Sequence, residues 1–163
     1  MQGLANRAKG PGCIFFTGGA TALMLGLREQ TIDVDLKLDP EPKGIFEAIA
    51  KLKEELDINI ELASPGDFIP APDDWRARSI SIESINSVQF LHYDLTLQAL
   101  SKIERGHVQD LKDVQALLKN KFITAKQVAE RFAEIRPLLI RYPALDPTDF
   151  AQRVSSFLEG FKK

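Results

Sequence analysis

Between Thr31 and Leu38 apolar and polar residues alternate strictly, with Ile32, Val34, Leu36 and Leu38 on one side of an extended chain and Asp33, Asp35 and Lys37 on the other. The alternation predicts a half-buried strand with one polar face. Shorter apolar runs predict strands at Cys13 to Phe16, stopped by Thr17-Gly18-Gly19, and at Ile58 to Leu62, where Asn59 and Glu61 interleave. Arg78 to Ile85 and Val88 to His92, separated by Asn86-Ser87, predict an antiparallel hairpin. Helical spacing governs the rest. Ala20 to Leu27 resumes as helix after the glycines, and Ile45, Phe46, Ile49, Leu52 and Leu56 mark a helix over Lys43 to Leu56. Ser64-Pro65-Gly66-Asp67, Pro70 and Pro72 make the stretch up to Trp75 a loop.

Beyond Asp94 the periodicity is helical throughout: Asp94 to Arg105, His107 to Lys119, Thr124 to Ile135 with the capping pair Thr124 and Gln127, and Thr148 to Phe161. The last helix carries Phe150, Val154, Phe157, Leu158 and Phe161 on one stripe, which is expected to pack on the body. The predicted class is α+β: a small mixed β-sheet with helices on one face in residues 1–93, followed by a C-terminal helical region, residues 94–163, packed on that core as one compact unit.

With 163 residues and 44% hydrophobic composition, one packed core is expected without disulfide or metal staples. Lys and Arg number 21 against 23 Asp and Glu, so there is no broad basic field to gather nucleic acid or an anionic membrane. Cys13 is the sole cysteine, and with only His92 and His107 beside it no zinc spacing exists. Ile14 to Leu27 has the length of a signal-peptide core, but Thr17, Gly18, Gly19 and Thr21 interrupt it and no cleavage pattern follows. A cytoplasmic chain without membrane association is the expectation.

The stretch richest in chemistry is Thr17-Gly18-Gly19, then thirteen residues, then Asp33-Val34-Asp35. Glycines let backbone N–H groups approach a phosphate, at the start of a helix where partial positive charge collects. Asp33 and Asp35 must project to the same side of their strand, and such an oxygen-only pair suits Mg²⁺. The bland alternative for the same residues is a solvated polar face. The glycine turn one strand earlier favours a site, because turn and carboxylates would meet at neighbouring strand ends.

Gly18-Gly19, a short helix, Arg28, Thr31 and Asp33-Val34-Asp35 resemble the signature of the DNA-polymerase-beta-like nucleotidyltransferase superfamily. More narrowly, the chain is similar to bacterial nucleotidyltransferase-like proteins related to the abortive-infection toxins of toxin-antitoxin systems. The residues that carry this likeness are 61–65, Asp67-Phe68-Ile69-Pro70, Trp75, Tyr93-Asp94, 98–106 and 109–114. The resemblance implies a nucleotidyltransferase fold and transfer of a nucleoside monophosphate from a Mg²⁺-bound (or Mn²⁺-bound) nucleoside triphosphate to a hydroxyl. The acceptor could be RNA, a protein or a small molecule, and an antitoxin-type protein could be a partner.

Carried onto this sequence, the resemblance makes Asp33, Asp35 and Glu61 the metal-binding and catalytic carboxylates, Glu61 standing where the usual residue is aspartate. It puts Thr17, Gly18, Gly19 and Thr21 against the triphosphate and has Arg28, Lys102 and Arg105 neutralise phosphate charge. For Lys102 and Arg105 the alternative is a salt-bridged helix, with Glu104, Asp110 and Asp113 in reach. Glu61 in place of aspartate also motivates a second reading, a catalytically degenerate module of the same fold acting through a protein partner. His92, His107 and Glu83 read as structural, and Trp75 as a loop anchor. Superfamily members commonly carry a helix before the first strand. Here only twelve residues precede Cys13, Gly10-Pro11-Gly12 among them, and no helix is predicted there.

Overall fold

The computed structural model describes residues 1–161. It is a mixed α/β structure that divides into two compact units, Met1–Ser64 with Ser79–Tyr93, and Pro65–Arg78 with Asp94 onward.

The first unit is built on a five-stranded sheet. Its strands are β1 (Gly12–Thr17), β2 (Asp33–Leu38), β3 (Asn59–Leu62), β4 (Ile80–Ile85) and β5 (Val88–His92), in the order β3-β2-β1-β5-β4. The β1/β2 and β4/β5 pairs are antiparallel, β1/β5 and β2/β3 parallel, so the sheet is mixed as the sequence predicts. The β4/β5 hairpin turns at Asn86-Ser87, where Asn86 takes a left-handed φ of 54°. Side chains alternate across a strand, so Ile14, Phe16, Leu36, Ile60, Val88 and Phe90 collect on one face. There they bury against Ala20 and the apolar stripe Ile45, Ala48, Ile49 and Leu52. Ala20 belongs to helix α2 (Gly18–Met24) and the stripe to α3 (Ile45–Leu56).

A helix absent from the sequence prediction, α1, occupies Gln2–Arg7. Six residues with Leu4 and Ala5 as the only buried positions are too few to show a period. Tertiary contact supplies what the sequence lacks: α1 packs on α3, close enough that a Cβ on Gly3 would stand 2.7 Å from Leu52 Cδ2. Arg7 Nη2 closes the pair with Glu55 Oε2 at 2.6 Å.

The second unit holds α4 (Leu95–Arg105), α5 (Val108–Lys119), α6 (Ala125–Ile135) and α7 (Pro147–Glu159), with short 3₁₀ turns at Pro65–Asp67, Asp73–Trp75 and Arg136–Arg141. The capping box foreseen at Thr124 and Gln127 forms. Phe150, Val154 and Leu158 of α7 are buried, and α7 packs on α4 and α6 as expected of its stripe. Trp75 is buried with the Arg76 guanidinium 5.0 Å above its ring.

Asp94 caps α4, its Oδ1 accepting from the backbone N–H groups of Thr96 and Leu97. Its other oxygen accepts from Arg131 Nη2 at 2.8 Å. Arg131 has no exposed side-chain surface and also pairs with Asp74 and Glu134. Burial alone pushes the pKa of this guanidinium down, but the three surrounding carboxylates outweigh it and hold the cation charged. Its Nε is a buried donor without a hydrogen-bond partner.

Candidate active site

β1 runs straight into α2 at Thr17-Gly18. Gly18 has a φ of +59°, and a Cβ there would stand 2.6 Å from Asp35 Oδ2. At Gly19 an added Cβ would collide with Thr31 Oγ1 and lie 2.9 Å from Arg28 Nη1. The two missing side chains therefore let Asp35, Arg28 and Thr31 close on the backbone of a single turn. The Thr31 hydroxyl also donates to the Asp33 carbonyl at 3.0 Å, which ties the turn to the start of β2.

The carboxylates follow from register. β2 pairs with β3 so that Asp33 lies opposite Asn59 and Asp35 opposite Glu61, while Thr17 of β1 lies opposite Asp35. Residues directly opposite share a face of the sheet. Thr17, Asp35 and Glu61 form one row across three strands, with Asp33 and Asn59 in the row beside it. This is the face away from the apolar cluster of Phe16, Leu36 and Ile60. Asp33 and Glu61 are exposed and Asp35 is half-buried.

One amide ties the pair of rows together. Asn59 Nδ2 donates to Asp33 Oδ1 at 2.9 Å and to Glu61 Oε1 at 2.8 Å. As they stand, no three His, Cys, Asp or Glu side chains among the described residues converge closely enough to hold an ion. The donor set is nonetheless of the hard, all-oxygen kind that Mg²⁺ takes, and two of its members are held on one nitrogen. Asn59 is a site residue that alternation alone did not single out, since its importance depends on which residue of β2 it faces.

Two threonines named from sequence turn inward. The Thr17 hydroxyl, almost fully buried, donates to the Ala63 carbonyl at 3.2 Å and ties β1 to the end of β3. The Thr21 hydroxyl donates to the Phe16 carbonyl at 2.9 Å and is 3.3 Å from His92 Nδ1. Because the single Thr21 proton is spent on Phe16, the His92 contact requires Nδ1–H to be the donor. Burial lowers the pKa of His92, in keeping with that neutral ring.

A family described as nucleotidyltransferase of unknown function (DUF6036) matches residues 1–161. The chain belongs to this family. No curated protein and no solved structure matches the nucleotidyltransferase at a significant level. Among its described residues no helix is long and apolar enough to cross a membrane.

In the helical unit of the nucleotidyltransferase, Lys102 and Arg105 engage carboxylates. Lys102 Nζ, buried, lies 3.1 Å from Asp110 Oδ1 and 2.6 Å from Asp113 Oδ2. Arg105 grips Asp110 with Nε and Nη2 at 2.7 and 2.8 Å. Burial pushes the Asp110 carboxyl up, but the Arg105 hydrogen bond and the Lys102 charge outweigh it and hold its pKa below the ordinary value. These ion pairs join α4 to α5, the salt-bridged arrangement weighed against a phosphate role. His107 is an exposed residue at the start of α5.

Proposed function

We propose that this nucleotidyltransferase moves a nucleoside monophosphate from a Mg²⁺-bound nucleoside triphosphate to a hydroxyl acceptor at the β1–β2–β3 end of the sheet. The observation that carries the reading is the meeting of Asp35 with the Gly18 backbone, in the same row as Glu61 and beside Asp33. Asp33, Asp35 and Glu61 are the residues that would hold the cation. When bound, the metal supplies charge neutralisation for the triphosphate oxygens and orients them.

The chain's own groups do the rest. Without side chains at Gly18 and Gly19, Asp35, Arg28 and Thr31 pack directly on the turn that would receive the triphosphate. Arg28, which lies against Gly19, neutralises charge on the departing pyrophosphate. Glu61, exposed on the edge strand β3, takes the proton of the attacking hydroxyl. The hydroxyl oxygen bonds to the α-phosphorus, the bond from that phosphorus to pyrophosphate breaks, and the product is an acceptor carrying a nucleoside monophosphate. The likeness of residues 98–106 to bacterial nucleotidyltransferase-like proteins related to abortive-infection toxins supports a place for the enzyme as the toxin-like member of a toxin-antitoxin pair.

Thermal unfolding with each of the four nucleoside triphosphates, with and without Mg²⁺, tests this. Ligand at about 100 times its Kd should add about 2.7 kcal/mol of stability. The expected result is a Mg²⁺-dependent rise that vanishes in Asp33→Asn/Asp35→Asn. A chain indifferent to every nucleotide would overturn the proposal.

A further inference from the structure

We infer that the first unit holds a binding site for an uncharged, hydrocarbon-like small molecule, in a cavity of about 270 Å³ between the sheet and helices α1, α2 and α3. The inference does not depend on the nucleotide chemistry proposed above. Phe16, Val34 and Ile60 form the cavity floor, and along their strands they alternate with Thr17, Asp35 and Glu61, which face the other side of the sheet.

The chemistry of the lining selects the ligand. Among the described residues no charged side chain lines the cavity, and the one polar side chain is that of Thr31. The Thr31 hydroxyl spends its proton on the Asp33 carbonyl at 3.0 Å, so it offers a guest no donor. An ion entering there would lose its hydration without replacement. Water would lack the roughly two to four polar partners that hold it in a buried site. Hydrocarbon meets neither penalty, and an apolar cavity left empty lowers stability, so the walls gain from an occupant. By proportion with an engineered cavity of about 150 Å³ that stays dry and binds benzene, this one admits on the order of ten carbon atoms. Met1, Leu23, Met24 and Leu56 line the cavity and are nevertheless 36–58% exposed, so it opens to solvent between them. Met1 and Met24 are the chain's two methionines, and their flexible thioethers adapt to the shape of a guest. Because α2 starts at the Gly18 turn and β2 carries Asp33 and Asp35 on its other face, an occupant bears on the back of both elements.

The test adds n-butylbenzene, a neutral hydrocarbon, or 4-phenylbutyrate, the same carbon skeleton ending in a carboxylate, to the intact chain while thermal unfolding is followed. n-Butylbenzene should raise Tm saturably and 4-phenylbutyrate should leave it unchanged. Ile58→Phe adds bulk to the cavity wall and Leu23→Trp covers its mouth; Ile58 is half-buried and Leu23 lies on the rim, and circular dichroism confirms that each variant is folded. In each folded variant the concentration of n-butylbenzene needed for half the rise should increase about tenfold. A native chain indifferent to n-butylbenzene, an equal response to 4-phenylbutyrate, or a response retained in both variants overturns the inference.

Discussion

A Cβ placed on Gly18 would stand 2.6 Å from Asp35 Oδ2, so the turn and the carboxylate at the middle of the Thr17–Asp35–Glu61 row share a space that admits no side chain. Gly18→Ala therefore combines two penalties, a left-handed backbone worth about 1–2 kcal/mol and displacement of the carboxylate. Gly26 isolates the first of these, since it has a φ of +72° with nothing within 4 Å of an added Cβ. Urea unfolding should show both alanine variants destabilised. Only Gly18→Ala should lose the Mg²⁺-nucleotide rise in Tm, and equal ligand responses in the two would count against Asp35 as the group that meets the turn.

His92 gives the first unit a dependence on mild acid. Its folded pKa is lowered by burial from the ordinary 6.5, so between that lowered value and 6.5 the unfolded chain binds a proton that the folded chain refuses. Stability is therefore full above about pH 6.5 and declines as pH falls, levelling only below the folded pKa. In His92→Asn, whose amide can still donate to Thr21, the slope of Tm against pH from 5 to 7 should shrink. An unaltered slope would mean that another group carries it.

Arg131 carries a larger share of stability in the second unit. Arg131→Met keeps the bulk of the side chain but leaves the buried Asp94 carboxylate without its 2.8 Å partner and frees Asp74 in the 65–78 segment. Removing one member of a buried pair costs about 3–5 kcal/mol. Denaturant unfolding should register a loss of that size, and Arg131→Met/Asp94→Asn should recover part of it. A loss under about 1 kcal/mol would show that Arg78, 3.4 Å from the same carboxylate oxygen, suffices alone.

The parts of the fold legible in the sequence are those with a local period. The alternation through Asp33, Asp35 and Lys37 marked β2 and its polar face, and Asn86-Ser87 marked the hairpin. Thr124 and Gln127 marked the start of α6. Ile32, assigned to the apolar side of that strand, lies before its first residue and is 81% exposed, because pairing with β3 begins only at Asp33. Helix α1 escaped because its two buried residues acquire meaning only against α3.

For the candidate site the sequence offered residue types and local faces. Spacing placed Asp33 and Asp35 on one face, the resemblance added Glu61, and pairing register sets which of them lie opposite one another. Register is a long-range property, so Asn59 between Asp33 and Glu61 could not be read from either strand alone. Thr21 and Lys102 illustrate the converse. Each has a side chain suited to phosphate and each is buried against a partner: His92, seventy-one residues on, could not be foreseen for Thr21, whereas Asp110 and Asp113 were the alternative already open for Lys102.

The segment 65–78 leaves the sheet after β3 at one edge, joins the helical unit, and returns as β4 at the opposite edge. Neither unit is therefore a continuous stretch of gene. A ribosome making this chain finishes β3 and the Asp74 turn long before Arg131 emerges to receive it, so Asp74 must wait 57 residues for its partner. Splitting the coding sequence after Tyr93 would strand that segment with the wrong half. Two fragments cut there should recover the fold only when supplied together.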